Sequence, residues 1–337
     1  MTEYVRARAP LRIGIAGGGT DVDPYASQKG GCVLNTTINK HAYCTITPRN
    51  DRTLHVRSSY YGIYEAPLDG GPLRLDGNMD LIKAVTNHFE VRDGFDILIE
   101  SDAPAGSGLG GSSTMMVAMI SAVSNWLEME MDHDEIAKLA YRLEREDIGL
   151  KGGKQDQYAA AYGGFNLMDI DSEGVRVRKV DIDDDVANEL QYRSVLCYTG
   201  TSRESAEIIS SQIESFNRKE NEKALDESKR LAKEIGAALK EGNIEKAGEL
   251  LHESWGYKKQ FSEKISNELI NNLYDIAMSK GAIGGKVSGA GGGGFMYYIC
   301  EYDKKAAVAQ ELQKHGAIVT DFMFDPKGVT SWRNKNE

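Results

Sequence analysis

"PAGSGLGGSST" (residues 104–114) is the stretch on which the interpretation of this sequence depends. Gly106, Gly108 and Gly111 have the G-x-G-x-x-G spacing that is typical of dinucleotide-binding loops. That interpretation requires a βαβ unit, with a second strand soon after the helix that follows the glycines. Here the next segment, EIAKLAYRLERE (135–146), instead carries apolar residues at helical spacing. A dinucleotide-binding fold, and with it an NAD-dependent oxidoreductase, is therefore disfavoured.

The same loop has the features of a different kind of phosphate-binding site. No Lys-Ser or Lys-Thr pair follows the glycines, so the Walker A form is absent. Glycines let the backbone approach phosphate oxygens closely, and the first turn of a helix offers unpaired N–H groups. Ser112, Ser113 and Thr114 stand at this helix start, where a hydroxyl can ligate Mg²⁺. The alternative is a sharp turn with a serine cap.

Composition limits the classes of protein that fit. The 337 residues suffice for two domains, and 41% hydrophobic with 27% charged residues is ordinary for a globular protein. The net charge of −11 argues against a general nucleic-acid or anionic-membrane surface. A polyanionic ligand such as ATP would need local donors and a metal.

The cysteines and the N-terminus predict a cytoplasmic location. Cys32, Cys44, Cys197 and Cys300 are far apart and form no C-x-x-C pair, so neither a disulfide framework nor a zinc site is expected. The N-terminus, MTEYVRARAPLRIGIAGGG, has charges where a signal peptide needs an apolar run. No stretch approaches 18 uninterrupted apolar residues, so we expect no membrane-spanning helix.

The pattern of predicted elements favours an α+β fold. Strands are predicted at 11–16, 31–38, 41–47, 95–100 and 192–199, with a hairpin at 163–169 and 175–180. Helices are predicted at 113–129, at 132–149 with Asp132 or Asp134 as its cap, and over most of 202–280, before a glycine loop and a last helix–strand pair. The acidic run 181–190 is either a crossing between domains or a solvated loop. Strands and helices do not alternate strictly, as a doubly wound sheet would require.

Two further glycine-rich segments lead to a family resemblance. They are GGGTDVDPY (17–25) and GGKVSGAGGGGF (284–295), in which the run Gly291–Gly294 predicts backbone lying against a ligand or another loop. Read in order, APLRIGIAGGGTD, PAGSGLGGSST and SGAGGGGF resemble the three motifs of the GHMP kinase superfamily. A second glycine in GLGGSS is a departure from many members. The resemblance implies an N-terminal α+β domain (1–184), a ferredoxin-like C-terminal domain (185–337) and an active site in the cleft between them.

The resemblance also implies roles for individual residues. Glu144, Gly149 and Asp156 match the family's spacing of a metal ligand, a glycine and a catalytic base. Asp156 is then the base, Arg12 its cationic partner, and Ser113 and Glu144 the Mg²⁺ ligands. ATP is implied to lie on the loop residues Pro104, Gly106, Ser107, Gly108, Leu109, Gly110, Gly111, Ser112, Ser113 and Thr114.

Within the superfamily, the sugar kinases match best. GGGTD keeps Thr20 and Asp21, the latter at the position that binds sugar hydroxyls, and GGCVLNTTI echoes a sugar-kinase element with Gly31 and Asn35. Gly291 and Gly292 are assigned to the same substrate pocket. GGGTD, KQDQYAAAYGGFN and GVTSW resemble members that phosphorylate the anomeric C1 hydroxyl of a heptose 7-phosphate.

The implied partners are a sugar phosphate and ATP, with no nucleic acid or membrane, and the oligomeric state stays open. Lys40, Arg57, Lys154 and Lys286 are candidates to bind the 7-phosphate, although a solvated surface charge fits each of them as well. The alternatives are a fucose or other sugar 1-kinase and a non-catalytic sensor of sugar and ATP. A sensor could dispense with Arg12, Ser113, Glu144 and Asp156, all of which are present.

Overall fold

A computed structural model describes residues 3–58, 62–202 and 205–335. Its strands are β1 (Glu3–Ala16), β2 (Gly31–Pro48), β3 (Thr53–Ser58), β4 (Gly62–Pro67), β5 (Phe95–Ser101), β6 (Phe165–Asp171), β7 (Gly174–Lys179), β8 (Ser194–Tyr198), β9 (Ala282–Val287), β10 (Phe295–Cys300), β11 (Ile318–Val319) and β12 (Thr330–Lys335). Its α-helices are α1 (Tyr25–Lys29), α2 (Asp80–His88), α3 (Gly111–Trp126), α4 (His133–Tyr141), α5 (Gln155–Tyr162), α6 (Asp184–Arg193), α7 (Ser205–Asn217), α8 (Glu222–Lys240), α9 (Ile244–Lys258), α10 (Glu268–Ser279) and α11 (Lys305–Lys314). A π-helical turn, Arg142–Asp147, follows α4.

The strands form two sheets. The larger has the order β12-β1-β2-β5-β3-β4, with β6 paired to β2 and β7 paired to β6. Helix α3 packs on β1 and β2, and every residue from Ser113 to Ser124 is buried. A helix that is buried all round belongs to the centre of a domain, so α3 anchors the loop that precedes it.

The smaller sheet confirms the ferredoxin-like arrangement. Its order is β11-β8-β10-β9, and all three pairings are antiparallel. Numbered along this half of the chain, the order is 4-1-3-2, which is that of the split βαββαβ motif. Helices α7 to α10 lie between its first two strands, as the helical pattern after residue 202 predicts. The fold is therefore α+β, as expected.

Several details of the sequence prediction need correction. The segments 31–38 and 41–47 form one strand, β2, because an irregularity in the register of β1 between Pro10 and Arg12 lets the pairing continue past Asn39 and Lys40. The helix predicted over 132–149 is α-helical only to Tyr141 and then π-helical. Of its two candidate caps, Asp132 accepts the Glu135 N–H in a capping box.

The acidic run 181–190 joins the two sheets as helix α6 rather than as a loop. Asp183 caps this helix by accepting the Asp185 N–H at 2.9 Å, which gives the acidic residues a place in the first turn. The predicted boundary at residues 184 and 185 falls at the start of α6, and β12 returns from the C-terminal half to pair with β1. The division into domains at that boundary stays a prediction. No described helix is long and apolar enough to cross a membrane.

Candidate active site

A cleft lies where the glycine-rich segments meet. Its walls come from the β5–α3 loop, the segment between the π-helical turn and α5, helix α7 and the loop between β9 and β10. The predicted residues that line it are Arg12, Asp21, Pro104, Gly106, Ser107, Gly108, Gly110, Gly111, Ser112 and Asp156. The sequence motifs therefore converge on one cavity, although they are spread over most of the chain.

Backbone packing fixes the shape of the phosphate loop (residues 104–112). A side chain added at Gly108 would overlap the carbonyl of Ser288, and one at Gly294 would overlap the carbonyl of Ser107. The N–H of Phe295 donates to the Ser107 carbonyl at 2.9 Å. The C-terminal glycine loop (residues 288–294) thus lies against the back of the phosphate loop. Its glycine run was predicted to lie against either a ligand or another loop. It contacts another loop.

Arg12 and Asp156 form an ion pair in the cleft. Both Nε and Nη2 of Arg12 lie near Asp156 Oδ1, at 2.8 and 2.7 Å. Nη1 of Arg12 donates to the carbonyl of Gly108, so one guanidinium joins the acid to the phosphate loop. No described residue donates to Oδ2 of Asp156, and the side chain is 19% exposed. That oxygen is available to an incoming hydroxyl.

Glu144 is held at the start of α3 by hydroxyl and amide donors. Its side chain is fully buried, with Oε1 accepting from Ser112 Oγ at 2.8 Å and Oε2 from Ser113 Oγ at 2.7 Å. Gln157 Nε2 also donates to Oε2, at 2.7 Å. The π-helical turn that carries Glu144 is a feature often found at functional sites.

These oxygens suit a magnesium ion shared with phosphates. Mg²⁺ prefers hard oxygen ligands and commonly takes one or two from the protein, completing its octahedron with phosphate oxygens and water. Ser113 and Glu144 supply two such oxygens in contact with each other. Among the described residues, no group of three or more acidic, histidine or cysteine side chains is placed to hold a metal by itself. The donor set therefore fits a metal that arrives with a nucleotide.

Asp21 is a second carboxylate that lines the cleft. Its Oδ1 accepts the Gly19 N–H at 2.9 Å, and its Oδ2 accepts both the backbone N–H and Nε2 of Gln155 at 3.2 Å. The side chain of Lys258, at the end of α9, also lines the cleft and donates to the Gly18 carbonyl at 3.0 Å. Burial lowers the pKa of Lys258 to about 8, although the charge of Asp21 acts in the other direction.

Several predicted substrate residues support the cleft without lining it. The Thr20 hydroxyl donates to the Gly17 carbonyl at 2.8 Å and accepts the Cys32 N–H at 3.0 Å, which ties the Asp21 loop to β2. Gly31 lies so close to the Thr20 carbonyl that any side chain would overlap it. Asn35 is fully buried and accepts from Asn166 Nδ2 at 3.3 Å. None of the three lines the cleft, and their contacts with the sugar stay a prediction.

Five further predicted residues do not line the cleft. They are Gly291 and Gly292 of the C-terminal glycine loop and Leu109, Ser113 and Thr114 of the phosphate motif. The Gly292 N–H donates to the Ile265 carbonyl at 2.8 Å, and Gly291 packs against the same residue. Leu109 is buried in the apolar core, and Ser113 and Thr114 lie behind the cleft surface. Ser113 still contacts Glu144, and its proposed metal role stays a prediction.

None of the four cations predicted to bind a second phosphate lines the cleft. Lys40 lies on β2 and Arg57 on β3, outside it. Lys154 is 3.3 Å from the carboxylate of Asp23, and Lys286 is buried with Nζ donating to the Gly14 carbonyl at 2.7 Å. Burial, reinforced by Lys258 and Arg12, lowers the pKa of Lys286 well below its usual value.

Sequence reasoning missed five polar residues of the site. Gln157 contacts Glu144, Gln155 contacts Asp21, and Arg145, Lys151 and Lys258 line the cleft. The Q-D-Q triplet around Asp156 was a usable signal, because neighbours of a catalytic acid on a first helical turn share its surroundings. Lys258 carried no such signal, since it resembles any lysine near a helix end.

The comparisons with known proteins agree with this geometry. Residues 79–164 match the family described as GHMP kinases N terminal domain, and residues 235–318 match GHMP kinases C terminal. Over 336 residues the chain is 38% identical to D-glycero-alpha-D-manno-heptose 7-phosphate kinase of Campylobacter jejuni, covering 98% of this chain and 99% of that protein. The chain is a GHMP kinase.

Two further relatives of this GHMP kinase are described as kinases of sugars. A crystal structure described as a D-glycero-D-manno-heptose 1-phosphate kinase from Bacteroides thetaiotaomicron superimposes with a TM-score of 0.82 at 35% identity, over 98% of this chain and 100% of that one. L-fucokinase/L-fucose-1-P guanylyltransferase of Bacteroides fragilis is 28% identical over 91% of this chain and 35% of its own length. The protein is an ATP-dependent sugar kinase, as its motifs predict. The oxidoreductase alternative is wrong, because α4 follows α3 with no strand between them.

Proposed function

We propose that this GHMP kinase transfers the γ-phosphoryl group of ATP to the C1 hydroxyl of D-glycero-D-manno-heptose 7-phosphate, giving the 1,7-bisphosphate. The choice of a heptose is supported by the names of the relatives that are 35% and 38% identical over nearly the whole chain, and the 7-phosphate by the name of the second of them. The observation that carries the reaction is the state of Asp156. Arg12 holds one of its oxygens, and no described residue donates to the other, which lies in the cleft.

The phosphate loop would bind the triphosphate. Gly110 precedes helix α3 and Gly111 begins it, so the first N–H groups of α3 have no earlier carbonyl of the helix to bond. These donors and the positive end of the helix dipole favour an anion at this point. Pro104, Gly106, Ser107 and Gly108 form the adjoining wall of the cleft.

Asp156 would act as the general base. The C1 hydroxyl oxygen forms a bond to the γ-phosphorus as the bond from that phosphorus to the β–γ bridging oxygen breaks. The hydroxyl proton passes to Asp156 Oδ2, and ADP leaves. Arg12 contacts Asp156 only through Oδ1, so it orients the carboxylate and leaves Oδ2 to accept the proton. Arg12 also stays beside the phosphate loop through Gly108, where its charge offsets that of the transferring group.

Ser113 and Glu144 would hold Mg²⁺, which when bound neutralises charge on the β- and γ-phosphates. Gln157 fixes the carboxylate of Glu144 from the side of α5, and Arg145 Nη2 donates to Ser113 Oγ at 3.2 Å. Both ligands are therefore oriented before the nucleotide arrives. Preorganised groups of this kind cost no rearrangement at the moment of reaction.

Asp21 would bind hydroxyls of the sugar ring. Its buried carboxylate is 2% exposed yet lines the cleft, and Gln155, the residue next to Asp156, donates to it twice. The catalytic acid and the sugar-binding acid are thus connected through one residue of α5. A hydroxyl on Asp21 places the remainder of the same sugar near Asp156.

A test of substrate choice uses ADP release with a panel of sugars. We expect efficient turnover of D-glycero-D-manno-heptose 7-phosphate and little turnover of L-fucose, galactose or mevalonate. The fucokinase relative makes L-fucose the main competitor. Efficient turnover of L-fucose with none of the heptose phosphate would reject the proposal, and no turnover of any sugar would favour a non-catalytic sensor.

A further inference from the structure

The proposed acceptor brings a second phosphate into the cleft, and that phosphate needs a cation. The protein has a net charge of −11, and a phosphomonoester carries up to two negative charges. An anion bound in a cleft without a counter-charge loses hydration without compensation. At least one cation of the cleft must therefore be both accessible and free to pair.

Four cationic side chains line the described part of the cleft, namely Arg12, Arg145, Lys151 and Lys258. Arg12 is paired with Asp156. Arg145 lies 3.5 Å from Glu144 and donates to Ser113, at the predicted metal site. Lys258 is only 3% exposed. These three cations serve the reaction centre or the floor of the cleft.

Lys151, in contrast, is accessible and has no acidic partner among the described residues. Its side chain is exposed at the cleft, and its Nζ donates to Ser210 Oγ of α7 at 3.0 Å. No carboxylate of the described residues lies within the 4.0 Å of an ion pair. Ser210 Oγ in turn donates to the Ala206 carbonyl at 2.7 Å, so the hydroxyl positions Lys151, and the lysine presents its charge to a ligand.

The contacts along the cleft place Lys151 at the sugar end. Gly110 of the phosphate loop lies against Asp156, and Asp156 is followed by Gln155 and Asp21 through the hydrogen bonds of Gln155. Gly153 then packs directly on the Asp21 carboxylate. Lys151 lies two residues before Gly153 on the same segment, and α7, which carries Ser210, contacts the Asp21 loop through Gln212 Nε2, which donates to the Gly19 carbonyl at 2.8 Å.

We propose that Lys151, positioned by Ser210, binds the phosphomonoester at the far end of the acceptor sugar. This inference rests on the proposed function, since it needs an acceptor that carries a phosphate away from the reacting hydroxyl. Lys151 comes from the segment before α5 and Ser210 from α7, so their hydrogen bond fixes the lysine between two walls of the cleft. A sugar without this phosphate would lack that contact and would bind more weakly.

The test compares two acceptors, D-glycero-D-manno-heptose 7-phosphate and the same heptose without phosphate, in four proteins. These are the wild type, Lys151→Met, Lys154→Met and Lys40→Met. Lys40→Met removes the same charge outside the cleft and serves as the control. Hydrogen bonds to charged groups contribute enough free energy to predict about a tenfold to hundredfold loss of kcat/KM for Lys151→Met on the phosphorylated sugar. The loss should appear mainly in KM, with turnover of the unphosphorylated heptose unchanged.

The outcomes separate this inference from the proposed function. Lys151→Arg should retain most of the activity, and Ser210→Ala should lose less than Lys151→Met. Equal losses on both sugars, no loss at all, or a loss confined to Lys154→Met would overturn the role of Lys151 while the wild type still used heptose 7-phosphate. A wild-type enzyme that does not use heptose 7-phosphate would reject the proposed function and this subsite together. Melting temperatures within a degree or two of the wild type establish that the variants are folded.

Discussion

The two glycine loops that meet at the cleft look alike in sequence and differ in what they touch. In the phosphate loop, a side chain added at Gly111 would find no described atom within 4 Å. In the C-terminal glycine loop, side chains at Gly289, Gly291, Gly293 and Gly294 would each meet backbone of another segment. The phosphate loop packs on protein at Gly108 but keeps open space at Gly111, whereas all four glycines of the other loop lie close to protein. A run of glycines therefore indicates close approach without identifying the partner.

The largest expected effect comes from replacing the base Asp156, which lies against the phosphate loop at Gly110. Asp156→Asn leaves the contact with Gly110 in place and removes the base, so kcat should fall by about 10²–10⁴-fold while ATP still binds. Steady-state kinetics and nucleotide titration measure the two quantities. Because Arg12 acts through the same ion pair, the Arg12→Ala, Asp156→Asn double variant should lose less than the sum of the two single effects. Turnover of Asp156→Asn near that of the wild type would remove Asp156 from the mechanism.

The next effect concerns the serine hydroxyls in the first turn of α3, directly after the phosphate-loop glycines. Ser112 and Ser113 both donate to Glu144, and only Ser113 is predicted to ligate Mg²⁺. Ser113→Ala and Glu144→Gln should raise the Mg²⁺ concentration needed for half-maximal rate, whereas Ser112→Ala should not. A metal titration at saturating ATP and sugar distinguishes them. If Ser112→Ala shifts the metal dependence and Ser113→Ala does not, the ligand is assigned to the wrong serine.

A pair of glycine variants tests the difference between the loops directly. Gly111→Ala places a methyl group on the ligand side, so it should weaken ATP binding by about 1–3 kcal/mol and leave the melting temperature unchanged. Gly291 has a φ of 114° and packs on Ile265, so Gly291→Ala should instead lower the free energy of unfolding by about 1–3 kcal/mol. Calorimetry of unfolding and of ATP binding gives both values. The comparison fails if the two variants have the same profile.

The smallest effect is a pH dependence that originates in Lys258. Its pKa of about 8 means that it is protonated below that pH, with the charges of Asp21 and Arg12 nearby. If the charge helps to hold the sugar, kcat/KM should decline as the pH rises through about 8, and Lys258→Met should lack this decline. Because the lysine loses its proton more easily in the folded state, its contribution to stability should become more favourable between about pH 8 and 10.5. An unchanged alkaline limb in Lys258→Met would assign that limb to another group.

Local patterns were the part of the structure that the sequence could predict. The phosphate loop, α3, the β6–β7 hairpin and the Asp132 cap depend on neighbouring residues, and each lies where its pattern indicates. Strands β3 and β4 and helix α2 escaped prediction. β4 is a partly exposed strand at the edge of its sheet, and α2 begins after Met79, which makes no side-chain cap. Neither feature provides the signals on which prediction relies.

The site shows the same limit. Arg12, Glu144 and Asp156 come together as the motif order implies, because the fold brings those motifs to one cleft. Thr20 and Asn35 stand beside the predicted pocket in sequence, but their side chains turn toward backbone and toward Asn166. The direction in which Asn35 faces depends on the pairing of β2 with β6, which joins residues that are far apart in the sequence. Lys151 and Lys258 could be recognised as site residues only from the structure, which shows that they line the cleft.

The position of the transferred phosphate tests the central claim most directly. The open oxygen of Asp156 is proposed to accept a proton from the C1 hydroxyl, so the product should be a sugar phosphorylated at that carbon. We propose phosphorus NMR of the product formed from ATP and D-glycero-D-manno-heptose 7-phosphate. The expected result is a new phosphomonoester signal coupled to the anomeric proton, beside the unchanged 7-phosphate signal. A new phosphate coupled to any other sugar proton, or a 7-phosphate converted to a diphosphate, would contradict it.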